Sequence, residues 1–198
     1  MKFNHDNISP LDSRYANKIS ELRENFSESA LIKIRFDIEI EWLLYICVNL
    51  PKTFKPLSKQ SIKKITKFKD SFDNKSVLKI KKIESTTNHD VKAVEYYIRD
   101  YFLKDKVLST YTHLIHFGLT SEDINSLSYG HMIKNGIFIY VKELDKVNKI
   151  LKNYSKKWAK QTFLARTHGQ AASPSTLGKE FKVFHERINK EMQHLKSI

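Results

Sequence analysis

The stretch SEDINSLSYGHMIKNGIFIYVKELDKVNKILKNYSKKW, residues 121–158, decides the fold class. Ile124, Leu127, Ile137, Val141, Leu144, Ile150, Leu151, Tyr154 and Trp158 recur at helical spacing, and only Gly130 and Gly136 weaken the run. At 3.6 residues per turn the pattern predicts one helix of roughly ten turns. An ordinary globular helix has about three or four.

The segments on either side read the same way. From Ser27 to about Asn49, the positions Leu31, Ile34, Ile38, Trp42 and Tyr45 keep a 3/4 rhythm that stops before Pro51. Residues 58–72 form a short basic helix, in which Ile62, Ile65, Phe68 and Phe72 alternate with Lys63, Lys64, Lys67 and Lys69. Val91, Val94, Ile98, Tyr101 and Phe102 mark a further helix. At the other end Ser173-Pro174 reads as an N-cap with proline at the first helical position, opening a helix with Leu177, Phe181, Phe184, Ile188, Met192 and Leu195 on one stripe. No alternation is long enough to predict a strand, so the fold class expected is all-α.

Composition narrows the function classes. The chain has 198 residues, 40% of them hydrophobic, and only five Gly and four Pro, which suits long helices better than a turn-rich β architecture. The lone Cys47 excludes a disulfide within one chain and fits a reducing compartment. The N-terminus lacks the apolar core of a signal peptide, and the longest apolar run, Trp42 to Val48, is too short to span a bilayer, so a cytoplasmic protein without membrane partners is expected. A net charge of +13 invites a nucleic-acid reading. Only six of the 35 basic residues are Arg, the usual reader of bases and phosphates, so solvated lysine faces are the better account. The same field can steer an anionic small substrate.

The chemistry-capable residues gather in four short polar stretches: SPLDSRY (9–15), STTNHD (85–90), HFGLTSED (116–123) and ARTHGQAAS (165–173). The last three read as leading directly into helices, whose N-termini favour anions. Ordinary capping explains any one of them. Four together, two with a histidine beside threonine, indicate a shared site for a polyanionic ligand. His89 and His168 are the candidate acid and base, since imidazole titrates nearest neutrality. His116 stays ambiguous, and His5, His113, His131, His185 and His194 receive no role. No metal-binding spacing, GxGxxG, Walker loop or GxSxG occurs, so neither a metal nor another cofactor is expected.

Taken in order, SPLDSRY, TTNHDVKAVEYY, IHFGLTSEDINSLS and RTHGQAASPSTLGKE resemble the N-terminal motifs of the adenylosuccinate lyase family, within the fumarase/aspartase superfamily. The resemblance implies an N-terminal helical domain (1–115) followed by the first part of a central long-helix bundle (116–198), in a homotetramer with shared active sites. It implies cleavage of adenylosuccinate to AMP and fumarate, and of the succinylated aminoimidazole carboxamide ribotide of purine biosynthesis. By the same resemblance Arg14 and Tyr15 bind the nucleotide phosphate. Asn88, His89 and Asp90 lie along the substrate, Thr120 and Ser121 contact the succinyl carboxylates, and His168, flanked by Thr167 and supported by Gln170, is the general acid. Ser13 stands where the family has glycine and Ser85 where relatives often have arginine. The family's SSxMPxKxNP loop, which supplies the serine base, does not occur here. The chain therefore reads as an N-terminal portion that is inactive alone. Two rival readings are a helical nucleic-acid-binding protein and a non-catalytic module that oligomerises through its apolar stripes.

Overall fold

The computed structural model describes residues 9–197, so His5 lies outside the described residues. Two short 3-10 turns, Pro10–Asp12 and Ala16–Lys18, precede α1 (Ser20–Phe26), α2 (Glu28–Asn49), α3 (Lys59–Asp70), α4 (Asn74–Thr87) and α5 (Asp90–Leu103). A 3-10 stretch, Leu108–Leu114, leads to α6 (Ser121–Lys157), then strands β1 (Thr162–Thr167) and β2 (Gln170–Thr176), and finally α7 (Leu177–Ser197). The all-α class holds, with one small antiparallel hairpin added.

Caps set several helix starts. The Ser27 hydroxyl accepts from the Ala30 amide at 3.2 Å to open α2, and Ser58 accepts from Ser61 at 3.0 Å to open α3. Asp73 and Ser76 form a reciprocal capping box at α4. α6 spans 37 residues without a break at Gly130 or Gly136, as its periodicity predicts.

Contacts divide the chain into two compact units, Met1–Lys134 and Asn135–Ile198, with the division falling inside α6. In the first unit α2 is the central element. Ile32, Phe36, Ile40, Leu43, Ile46 and Cys47 bury against Ile65 and Phe68 of α3, Ile80 of α4, Val94, Ile98 and Phe102 of α5, and Leu108 and Leu114. Each such side chain contributes about 1.5–3 kcal/mol of transfer free energy. Phe36 packs edge-on to Phe68 at a centroid distance of 5.1 Å, and Phe68 stacks on Tyr101 at 3.6 Å. The buried face is not the one the 3/4 rhythm selects. Ile34, Ile38, Trp42 and Tyr45 instead line a groove of about 580 Å³ with Leu127 and His131. α2 is apolar nearly all round, so period alone could not choose its inward side.

In the second unit the end of α6 and the start of α7 come into backbone contact. Gly178 makes this possible, because a β-carbon there would lie 2.4 Å from the Ser155 carbonyl oxygen and 2.6 Å from the Ala159 Cα. The Gly178 amide donates to the Trp158 carbonyl at 2.9 Å, and Tyr154, Trp158 and Phe181 pack as an aromatic trio. Val141, Asn148 and Met192 are buried, while Phe138, Tyr140, Ile150 and Phe184 are more than half exposed.

The expected helix start at Ser173-Pro174 is corrected. Both residues lie in β2, Leu164 pairs with Pro174, and α7 begins at Leu177. Pro174 has no amide to donate, which a two-stranded ribbon tolerates because each strand keeps an open edge. One extra residue on β2 between Pro174 and Ala171 forms a bulge opposite Leu164–Arg166.

Candidate functional site

The polar cluster at 85–90 is a helix junction. Asn88 ends α4 in the left-handed conformation (φ 50°, ψ 32°), with its amide donating to the Glu84 carbonyl at 2.8 Å. Asparagine tolerates that conformation better than most residues with a β-carbon. His89 is the N-cap of α5, where its Nδ1 accepts from the Lys92 amide at 3.2 Å. Acceptance at Nδ1 leaves the proton of the neutral ring on Nε2. That nitrogen lies 3.5 Å from the Ser121 hydroxyl at the start of α6. Capping and site geometry thus coexist in one residue, and two of the four polar stretches meet.

Ser121 is presented by a second capping arrangement. Asp123 Oδ2 accepts from the Thr120 amide at 2.7 Å and from its hydroxyl at 2.8 Å, and these bonds hold the Asp123 carboxyl below its ordinary range. The Thr120 hydroxyl is therefore engaged in the cap, while Ser121 faces His89. Asp90 directs Oδ1 to the Val91 amide at 2.8 Å and Oδ2 to Arg35 at 2.7 Å. Partial burial would raise its pKa. The amide bond and the Arg35 guanidinium outweigh that and hold it down.

Sequence reasoning missed the residues behind this junction. Arg35 of α2 is 4% exposed, and its Nε donates to Asn125 of α6 at 3.0 Å while its Nη1 pairs with Asp90. One guanidinium therefore ties the TTNHD stretch to the TSEDIN stretch. Its fork geometry allows both bonds at once. Glu39, one turn further along α2, pairs with His116 Nδ1 at 2.6 Å. The hydrogen bond to Glu39 raises the His116 pKa, burial opposes the shift, and the charges of Glu39 and Glu95 add to it against Lys92. No sequence signal singled out these two residues, because the same helix also carries Glu28, Lys33, Asp37 and Glu41, with Lys33 and Asp37 forming another opposite-charge pair at i and i+4. His116, left ambiguous by the sequence, is the half-buried partner of a fully buried carboxylate.

A cleft of about 450 Å³ opens at the junction, lined by Lys81, Glu84, Ser85, Asn88 and Asp90. Arg14 lies in the exposed N-terminal segment, its guanidinium 5.5 Å from the Tyr15 ring centre. Ser13 has φ −125°, so this turn does not require a glycine. No hydrogen bond or ion pair joins Arg14 or Tyr15 to the His89–Ser121 group among the described residues.

Thr167, His168 and Gln170 belong to the second unit, and their setting corrects the expected helix N-terminus. Thr167 pairs with Gln170 across the end of the hairpin, and His168 and Gly169 form the two-residue turn with φ of 50° and 78°. Positive φ at both central positions is what a type I′ hairpin turn requires. Glycine adopts it freely, whereas for histidine it is strained. The turn projects the His168 ring from an exposed ribbon end. No group of His, Cys, Asp and Glu able to hold a metal occurs among the described residues. No described helix is long and apolar enough to cross a membrane.

The lyase family matches residues 13–198. An adenylosuccinate lyase from Buchnera aphidicola (Schizaphis graminum) is 39% identical over 194 residues, covering 96% of this chain and 42% of the relative. One from Dictyostelium discoideum is 40% identical over 197 residues (95% and 41%), and one from Escherichia coli K12 is 36% identical over 196 residues (96% and 42%). The chain thus spans about two fifths of the length of these curated relatives. Among solved structures, a fumarate lyase from Mesorhizobium sp. BNC1 superposes with a TM-score of 0.73 at 18% identity, covering 89% of this chain and 39% of that one. At that identity the likeness concerns the fold.

Proposed function

Because this chain belongs to the lyase family, matched from residue 13 to its end, we propose that it is the N-terminal part of an adenylosuccinate lyase. The observation that carries the proposal is the meeting of His89 Nε2 and Ser121 Oγ at 3.5 Å, backed by Arg35 bridging Asp90 and Asn125. Two motifs separated by about thirty residues are held together by a buried cation, which capping alone does not require.

In this reading Asn88, His89 and Asp90 lie along adenylosuccinate, with His89 polarising it. The amides at the start of α6, with Thr120 and Ser121, meet the succinyl carboxylates, whose negative charge grows as a base removes the carbon-bound proton. His168 delivers a proton to the departing purine nitrogen, with Thr167 and Gln170 as neighbours, and Arg14 and Tyr15 hold the phosphate. The base is a serine of the family's later loop. The same reading carries the second succinylated nucleotide of purine biosynthesis, a homotetramer with shared sites, a cytoplasmic location and no nucleic-acid partner. It also places the border between an N-terminal helical domain and the bundle near residue 115.

The test is a chimera in which residues 1–198 replace the matching segment of the Escherichia coli relative. Adenylosuccinate loss and fumarate appearance are followed beside the 198-residue chain alone. Turnover by the chimera and none by the chain is the expected result. A chimera that melts cooperatively yet neither binds AMP nor releases fumarate refutes the reading.

A further inference from the structure

Arg35, Glu39 and Trp42 occupy one face of α2 at i, i+4 and i+7, and each reaches a segment of the candidate site. Arg35 holds Asp90 and Asn125, Glu39 holds His116, and the Trp42 indole donates to the Phe117 carbonyl at 2.8 Å. Glu39 is the costly member. Its side chain is 0% exposed, Oε1 meets His116 at 2.6 Å, and Oε2 is buried with no hydrogen-bond partner among the described residues. A leucine or methionine would fill this place without taking a carboxylate out of water.

A second cost falls at the same contact. His116 holds φ 60°, a left-handed conformation that a residue with a β-carbon adopts under constraint. Four residues later begins the Thr120–Asp123 cap that presents Ser121. The segment 116–123 is therefore fastened at its start by Glu39 and Trp42 and at its end by its own cap. Between these fastenings the chain has only Gly118 and Leu119 to turn, and Gly118 is itself at φ 72°. The start of α6 is thus referenced to α2 through His116, while Arg35 references the start of α5 to the same helix. Charged groups acting on His116 come from each packed element: Glu39 on α2, Glu95 and Lys92 on α5, and Asp123 on α6.

We propose that Glu39, acting through His116, is a positioning residue that sets the start of α6 so that Ser121 meets His89. The functional meaning rests on the reading of His89 and Ser121 as substrate-binding residues. Strain and an orphaned buried oxygen persist where the surroundings over-determine them, and here both converge on the alignment of two motifs.

The experiment uses Glu39→Leu, which keeps the volume and removes the bond, and Glu39→Gln, which keeps a hydrogen bond without the ion pair. In the chain labelled at its histidine rings, magnetic resonance reads His89. Glu39→Leu is expected to move the His89 ring signals while leaving the melting temperature unchanged or raised, and Glu39→Gln to move them less. In the chimera, Glu39→Leu is expected to raise KM for adenylosuccinate about tenfold with a smaller loss of kcat, because a displaced carboxylate contact weakens binding first. A merely structural role predicts a lowered melting temperature with unchanged KM and unmoved His89 signals, and that result overturns the proposal. If Glu39→Leu fails to fold, Glu39→Gln decides by the same signals. If the parent chimera shows no turnover, the lyase reading fails separately, and the His89 signals alone support or overturn the positioning role.

Discussion

Replacing Arg35 with methionine retains most of the aliphatic stem and removes the guanidinium that joins the two motifs. The magnitude follows from the two bonds lost. A hydrogen bond to a charged group contributes about 1.5–3 kcal/mol. The Asp90 side chain is 48% exposed, so water restores much of what it loses, and that bond is assigned about 1 kcal/mol. The 3.0 Å bond to Asn125 is assigned about 1.5 kcal/mol. With Arg35 itself nearly buried, relief of its desolvation offsets part of the cost. A net loss of about 2 kcal/mol remains, a fall of roughly 4–8 °C in the melting temperature of the first unit. Denaturant unfolding followed by circular dichroism measures it. The acid limb supplies the sign. The Asp90 pKa is lowered in the folded chain, so its contribution is present above the unfolded carboxyl pKa and is lost as pH falls through the folded one. The difference between Arg35→Met and the parent should therefore narrow towards low pH. A change below about 0.5 kcal/mol at neutral pH, the range of ordinary surface substitutions, would refute the bridging role.

His168→Asn is expected to lower turnover of the chimera by about 10²–10⁴-fold without weakening the hairpin, since asparagine accepts the φ of 50° more readily; near-normal turnover removes His168 from its role. Arg14→Ala should chiefly raise the KM for the nucleotide, and Lys63→Ala on the solvated face of α3 should change neither constant. Gly178→Ala places a β-carbon 2.4 Å from the Ser155 carbonyl, against backbone that cannot rotate away, so α7 must shift off α6. Proteolysis of the 159–178 segment should accelerate, and an unchanged digestion rate would show that the two helices separate without cost.

Local rules carried much of this protein. The period of residues 121–158, the caps Ser27 and Ser58, and the clustering of STTNHD and HFGLTSED are properties of neighbours along the chain. Helix formation depends on such neighbours, so α2, α3, α5 and α6 appear in the structure close to where the sequence predicts them. That His89 and Ser121 stand at helix starts was legible for the same reason, since capping is a local property. The hairpin was not. Thr162–Thr176 lacks sustained alternation, its Ser-Pro mimics a helix start, and strand pairing joins residues up to fourteen positions apart through hydrogen bonds that no local window contains. The His168-Gly169 pair was the one turn signal present.

The inward side of α2 was decided only in three dimensions. With apolar residues on nearly every face, α2 could have buried Ile34, Ile38, Trp42 and Tyr45 or Ile32, Phe36, Ile40 and Leu43; packing of α3, α4 and α5 selected the second set. That choice carried Arg35 and Glu39 out of water, where each had to find a counter-charge. The partners are Asp90, 55 positions along the chain from Arg35, and His116, 77 positions from Glu39. Charge in an exposed helix is solvated and locally unremarkable, whereas the same charge under a packed core must be paired. The sequence by itself determined which residues could do chemistry, because side-chain type and helix capping are local. Only the tertiary structure determined which of them meet, because burial of one face of α2 is what turns two surface-looking charges into the ties that bring His89 to Ser121.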